Sequence, residues 1–451
     1  MRTECTPPSM RFARLKGRDV VADFGGGAMT SNAGALLLGA TDRAIGLVDR
    51  FAGCFSDGRA AGCVVHDVAT LVGQRVFGMA LGYEDLIGHD PVLGAVLGRL
   101  EARRRDCAPL AGKSTLNRLE HAPAGVHRYR RVGHDAAAIE ALFVDLFLDA
   151  HERAPERLVL DLDATDDPLH GRQEGRFFHG YYDCYCYLLL YVFCGDHLPA
   201  AKLRRSDIDA SAGAVEEVER IVGQIRVRWP AVEIVLRADS GFAREPLMAW
   251  CEDNAVDYVF GLARNARLAA RLQPVLDRAE ARSRESGQPA RLFAEFRYRT
   301  LKTWSRPRRV VGKAEWLPRS ANPRFVVTSL SPTVIDRREL YEGLYCARGE
   351  MENRIKECQL DLFADRTSAT AMPANQLRLW FAAMAYVLLA TLRRIALAGT
   401  RLARTTCGSI RLKLLMIGAQ VRGSARRIRI AMASACPHAD TFAHAHARLC
   451  P

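Results

Sequence analysis

Apolar positions along this chain keep a helical period at first, switch to short continuous or alternating runs in the middle, and return to the helical period later. Up to about residue 150 they recur at helical spacing in 33–38, 68–81 and 136–148, with Gly and Pro between them, so this stretch is predicted to be mainly helical. The texture changes at Pro155. Residues 157–163 form an apolar run that ends in carboxylates, and 185–193 and 198–203 are two more strand-like runs joined at Gly195-Asp196. An amphipathic helix over 214–228 is closed by Trp229-Pro230. A buried strand over 232–238 ends at Asp239, a helix follows at 245–252, and a strand at 257–262. The order β-β-β-α-β-α-β predicts an α/β layered sheet with helices on its faces.

The alternation then stops. Residues 292–301, 308–316 and 324–330 are three strands of period two, and Phe296 and Tyr298 alternate with Arg297 and Arg299 to give one apolar and one basic face. Helix resumes near Leu340 and continues, with interruptions, to about Ile430. The expected boundaries are 1–150, 151–265, 266–335 for the β-rich insertion, 336–400, and 401–451.

With 451 residues the chain is long enough for two to four domains. Its longest apolar stretch, 379–392, is shorter than the roughly 20 residues of a spanning helix and runs into Arg393-Arg394, which predicts a core helix and no membrane. No apolar signal core opens the sequence, so the expected location is cytoplasmic. Thirteen scattered cysteines without a Cys-x-x-Cys fit reduced thiols. The terminal group Cys436, His438, His444, His446 and Cys450 has zinc-ligand atoms without the spacing of a known zinc module. Helices near 68–81 and 114–120 fit a helix-turn-helix reader or plain bundle packing.

The net charge of +13 is unevenly placed. Residues 366–439 hold twelve Arg or Lys and no acid, and 291–324 hold ten against Glu295 and Glu315. A solvated surface ordinarily mixes signs, so two basic zones predict a polyanion partner, most simply nucleic acid.

Asp163 and Asp239 each lie just past the end of a buried strand, where α/β sheets place ligand-handling groups. Asp161 shares a strand face with Asp163 and stays open as the alternative. On a helix over 341–360, at about 100° per residue, Tyr345, Arg348, Glu352, Lys356 and Gln359 fall within a stripe about 80° wide, while Glu350 and Glu357 do not. A surface helix with i, i+4 charge pairs would look the same. Three carboxylates from two strands and a helix can hold two divalent ions, and oxygen ligands without His or Cys favour Mg²⁺ or Mn²⁺ over zinc.

Asp163-Ala-Thr165, then Arg237-Ala-Asp239-Ser-Gly-Phe, then Tyr345-x-x-Arg348-x-x-x-Glu352 together resemble the DDE transposases of bacterial insertion sequences. More narrowly the chain is similar to the branch with a Tyr-Arg-Glu-Lys signature and, within it, the thirteen-eighty insertion-sequence family. The run 166–182 and Gly82-Tyr-Glu-Asp85 carry the narrower likeness. The family's lysine position holds Gln359 here, and Lys356 lies on the same face.

This resemblance implies a ribonuclease-H-like catalytic core with a β-strand insertion, a helical N-terminal region binding DNA ends, and a basic helical C-terminal region. It implies metal-dependent hydrolysis at terminal inverted repeats and transfer of the 3′-hydroxyl into target DNA. Asp163, Asp239 and Glu352 would hold two Mg²⁺ or Mn²⁺ ions, and no nucleotide cofactor is expected. Tyr345, Arg348 and Lys356 would contact DNA, and a homodimer would synapse two ends. Trp304, flanked by Lys302 and Arg306, is expected to stack on an extruded base. The competing readings are a ribonuclease-H-like nuclease or resolvase, and a non-catalytic DNA-binding repressor.

Overall fold

A computed structural model describes residues 9–15, 18–86, 110–126, 129–317, 320–423 and 427–450. It is a mixed α/β protein of two compact units, one made of residues 120–383 and the other of 1–119 together with 384–451.

The first unit is built on a ten-stranded sheet. Its elements are α1 (Ala136–Asp149), β1 (Arg157–Pro168), β2 (Phe177–His179), β3 (Cys184–Cys194), β4 (His197–Lys202), α2 (Ala214–Arg228), β5 (Glu233–Ala238), α3 (Glu245–Asp253) and β6 (Asp257–Leu262). There follow α4 (Ala266–Ser286), β7 (Ala290–Tyr298), β8 (Arg308–Leu317), β9 (Ser320–Ala321), β10 (Arg324–Thr328) and α5 (Gly349–Lys356). The sheet order is β7-β8-β10-β6-β5-β1-β3-β2, with β4 on β3 and β9 on β8. β1, β5 and β6 run parallel at the centre; every other pairing is antiparallel.

The apolar runs dictate this centre. Leu158, Leu160, Leu162, Ile234, Leu236 and Ala238 pack with Val218, Ile221, Val222 and Ile225 from α2 in one core cluster. Each such fully buried aliphatic side chain contributes about 1.5–3 kcal/mol.

The segment expected to be a β-rich insertion opens with a helix instead. α4 is 21 residues long, capped at Asn265, whose side chain accepts from the Leu268 backbone N–H, and ended at Gly287 with φ 67°. Leu268, Leu272, Leu276, Ala279 and Ser283 form its buried face, although Pro274 interrupts the pattern. It packs on β7 and β8, and Gly312 leaves room for Leu272, whose Cδ1 lies 2.8 Å from where a Cβ would stand. The three expected strands follow as β7, β8 and β10 and extend the central sheet past β6.

In the second unit, the helical segments expected at 33–38 and 68–81 appear as helices Ala35–Ile45 and Val68–Ala80. The turn required by a helix-turn-helix reading falls on 87–109, outside the described residues. The unit joins distant parts of the chain. Strand Met29–Thr30 pairs with Ala419–Gly423, which pairs with Ile428–Met432. Ala33 N–H donates to Ile417 O at 3.0 Å, and Gly34 fits only because it lacks a Cβ, which would meet Leu414 O at 2.2 Å. Among the described residues one helix, Met372–Ala396, is long and apolar enough to cross a membrane; 78% of its most apolar window is buried.

Candidate active site

Parallel register sets the site. Arg237 of β5 lies opposite Asp161 of β1, and Ala238 lies opposite Leu162. One residue further are Asp239, just past β5, and Asp163, which does not end its strand as expected: β1 runs on to Pro168, paired with β3, and only its pairing with β5 stops at Leu162. The facing pair Arg237 and Asp161 form a buried two-point ion pair, Nε to Oδ1 at 2.5 Å and Nη2 to Oδ2 at 2.8 Å. Burial raises the Asp161 carboxyl, and Arg237 works against that rise. Both Asp161 oxygens are therefore engaged by Arg237, whereas Asp163 is the one acted on by Asp239 and Glu352.

Asp163 is mostly buried, and its Oδ1 accepts from its neighbour's Ala164 N–H at 3.1 Å. Its carboxyl is pushed up to about 7, chiefly by burial; Arg348 opposes the rise, while Asp239 and Glu352 add to it. Asp239 caps the short helical turn Ser240–Phe242, its Oδ1 accepting from Gly241 N–H at 2.8 Å.

The third carboxylate comes from the helical segment after β10. That segment is not one regular helix. It runs as a π turn over Leu340–Tyr345, a 3₁₀ turn over Cys346–Arg348, α5, and a second π turn over Glu357–Asp361. Widened turns of this kind recur at functional sites. The expected single face survives where it matters. Arg348 Nη2 donates to Glu352 Oε1 at 2.6 Å, and Arg348 Nη1 lies 3.8 Å from Asp163 Oδ1. Burial lowers the Arg348 pKa, but Asp163 and Glu352 outweigh it and the net shift is upward.

Tyr345 stands over β6, its hydroxyl 2.6 Å from the position a Cβ on Gly261 would take. Any side chain at 261 would therefore displace it. Burial raises the Tyr345 hydroxyl, and Asp239 adds to the rise against Arg348. Arg237 reaches the same segment, donating through Nη1 to Leu344 O at 2.6 Å. A cleft of about 360 Å³ opens beside Asp239, with Gly261, Arg264, Arg324, Tyr341 and Tyr345 in its walls.

Lys356 is exposed on α5, and Gln359 donates to the Asp166 carbonyl at 3.3 Å. Trp304 requires a correction. It is 4% exposed, meets Tyr298 edge-to-face at 5.7 Å and lies under the Arg308 guanidinium at 5.5 Å. That guanidinium is fixed by Glu252 at 2.6 Å and Glu245 at 2.5 Å. The indole belongs to the core and is not offered to a base.

The first basic zone is corrected in the same way. Arg291, Arg306, Arg308, Arg309 and Lys313, half of its ten basic residues, pair with carboxylates, several from outside the zone. In the second zone Arg401, Arg404, Lys413, Arg422, Arg427 and Arg429 are exposed. Arg393 is buried, and Arg411 donates to the carbonyls of Ala80 and Met79.

Two residues near the carboxylates had been assigned no role. Arg237 is a charge inside an apolar strand, which by itself demands a buried acid such as Asp161. Tyr182 donates to Ala164 O at 3.1 Å, beside Asp163. Further along β1, Asp167 is fully buried and accepts from Thr367 at 2.5 Å; burial pushes it up to about 7.

No three of the described His, Cys, Asp and Glu side chains form a group that could hold a metal ion. Cys436 packs on a small core cluster, and His444 contacts the Ala398 carbonyl at 3.2 Å. At the acidic centre the guanidinium of Arg348 pairs with Glu352 and faces Asp163. The donor set itself suits a hard divalent ion: three carboxylates supply oxygen ligands, and the raised proton affinity of Asp163 beside Asp239 and Glu352 is relieved by added positive charge.

A family model described as Transposase DDE domain group 1 matches residues 12–451 of the chain. No curated protein matches it.

Proposed function

Because this chain belongs to the transposase DDE domain group 1 family, we propose that it binds the terminal inverted repeats of an insertion sequence, cuts there and transfers the freed end into target DNA. The observation that carries this reading is that Asp163 and Glu352 share one guanidinium, on which Asp239 also acts electrostatically. The narrower assignment, to the Tyr-Arg-Glu-Lys branch and the thirteen-eighty insertion-sequence family, is supported by Tyr345, Arg348 and Glu352 lining one side of the site. A ribonuclease-H-like core is supported by the order β4-β3-β1-β5-β6, in which β1, β5 and β6 are parallel and β3 and β4 antiparallel.

Asp163, Asp239 and Glu352 are the residues that would hold a pair of Mg²⁺ or Mn²⁺ ions. Bound there, such ions lower the pKa of an attacking water or hydroxyl and offset charge on the leaving oxygen. Arg348, when Glu352 turns from it, is left with free donors directed at the same centre, where a scissile phosphate accepts them. Tyr345 and Arg237 keep the Glu352 segment over the strand ends. Arg264 and Arg324 give the neighbouring cleft a positive wall for the strand being cut, and exposed Lys356 lies one turn beyond Glu352. Two DNA ends in one reaction call for a homodimer.

The test is incubation of a labelled terminal-repeat duplex with wild-type protein, with and without Mg²⁺. Metal-dependent cutting at the repeat end is expected. Cutting that ignores the repeat sequence would favour a general nuclease; binding without cutting would favour a repressor.

A further inference from the structure

The turn from β2 into β3 exposes rings that a folded protein ordinarily buries. Phe178 is 53% exposed, Tyr181 85% and Tyr185 49%. Phe178 and Tyr185 face each other across the strand pair and meet edge-to-face at 5.6 Å. The Arg176 guanidinium lies 4.8 Å over the Tyr185 ring. At the tip, Asp183 adopts φ 53° and its N–H donates to His179 O at 2.9 Å, so the turn is tight.

The tip is also anchored to the site. Tyr182 is half-buried, with its hydroxyl on the Ala164 carbonyl at 3.1 Å and its ring 4.9 Å from His179. Tyr181 meets the Tyr182 ring at 5.0 Å and 86°. Burial raises the Tyr182 hydroxyl, and Asp166, Asp163 and Asp239 add to the rise. An exposed ring thus stands one ring-width from a residue fastened beside Asp163.

We propose that Tyr181, extended by Phe178 and Tyr185, is a stacking site for an unpaired nucleobase of the strand being cut. The inference rests on the reading of the acidic centre as a DNA-cutting site. Aromatic faces accept any base, which suits a position beside the scissile phosphate rather than one that reads sequence. The three exposed large apolar residues of this turn are all aromatic; the exposed large aliphatic ones among the described residues of this unit, Val126, Val227, Leu301, Val334 and Leu360, lie elsewhere.

The experiment uses the full chain in EDTA, a duplex with three unpaired terminal nucleotides, and the same duplex fully paired or with abasic sites in the unpaired stretch. Tyr181→Ala should lower affinity for the unpaired end about 5- to 150-fold, the effect of one lost stack, and leave the paired duplex unaffected. Tyr181→Phe should bind as wild type. Abasic DNA should bring wild type down to the level of Tyr181→Ala, with no further loss in the variant. An equal loss on unpaired and abasic DNA overturns the proposal, as does unchanged affinity, including unchanged affinity with altered self-association. Because unpaired and abasic ends can be compared in any sequence context, a failure of repeat-specific cutting would strike the transposase reading and leave this measurement standing.

Discussion

Asp163 in the middle of β1, one residue past its last partner on β5, and Glu315 on β8 belong to one sheet, yet the protein drives their acidities in opposite directions. Asp163 is pushed up to about 7, while Glu315 is lowered to about 2 as hydrogen bonds from Lys313 and Arg291 outweigh the cost of burial. Both carboxylates of the inserted strands meet cations, Glu315 with Lys313 and Arg291 and Glu295 with Arg309, and Arg308 of β8 answers Glu245 and Glu252 of α3. Where the pairing of β1 with β5 stops, Asp163 and Asp239 share Arg348 with Glu352 of α5. Saturated charge holds a structure together; unsaturated charge is a site waiting for something positive. The lesson reaches the basic residues too, because those that answer acids of the fold are not available to DNA.

The largest expected effect falls on the unsaturated side. Asp163→Ala, Asp239→Ala and Glu352→Ala should each lower repeat-end cleavage by about 10³-fold or more while end binding stays close to wild type. Asp161→Ala offers the contrast: it should lower thermal stability, since it strands the buried Arg237. If Asp161→Ala folds as wild type but is dead, and Asp163→Ala cuts normally, the strand-end assignment is wrong by two residues.

Next comes the saturated side. Arg308→Ala removes the shared partner of Glu245 and Glu252 and the cover over Trp304, and should cost about 3–5 kcal/mol in denaturant unfolding. Loss of binding without loss of stability would return Arg308 to the DNA surface.

The two regions should also answer pH with opposite signs. Asp167, on β1 with Asp163, has a folded pKa of about 7 against an ordinary 3.8. The folded state therefore holds the extra proton, and stability falls as pH rises from about 4 through 7. Asp167→Asn should remove that fall, a difference of about 2–4 kcal/mol between wild type and variant. Glu315, with its depressed pKa, contributes stability above about pH 4.5 that is lost as the pH falls toward 2. Glu315→Gln should flatten that acid limb alone. Thermal unfolding of both variants across pH 3–8 reads the signs, and the same sign for both would break the comparison.

The smallest effect concerns the exposed arginines of the C-terminal zone. Replacing Arg422, Arg427 and Arg429 together should flatten the dependence of log affinity on log salt by about 0.9 per lost phosphate contact, without changing the melting temperature. Arg308→Ala should leave that slope unaltered.

Much of this was legible in the residues. Apolar runs that end in Asp163 and Asp239 are strands for local reasons, and their parallel register brings the two carboxylates side by side. The spacing of Arg348 and Glu352 was readable because one turn of helix suffices to pair them. What escaped depends on long-range partners. Trp304 looks like a loop aromatic between basic residues until α3, some fifty residues earlier, supplies Glu245 and Glu252 to Arg308 above it. α4 carries a clear apolar face, but Pro274 interrupts it. The π turns around α5 leave no mark in composition, and Tyr182 gains its place only through the fold of the β2–β3 turn.

The pairing of Met29–Thr30 with Ala419–Gly423, and of Gly34 with Leu414 and Leu415, sets a timetable for the chain as it is made. Roughly 380 residues separate these partners, and at about 5–20 residues per second the earlier ones wait on the order of 20–75 s for the later ones to leave the ribosome. During that interval the sheet unit of residues 120–383 can complete itself, while the first 119 residues lack the strand and turn against which they close. A stop codon or frameshift late in the message would therefore leave the newborn chain with an orphaned beginning as well as a missing end.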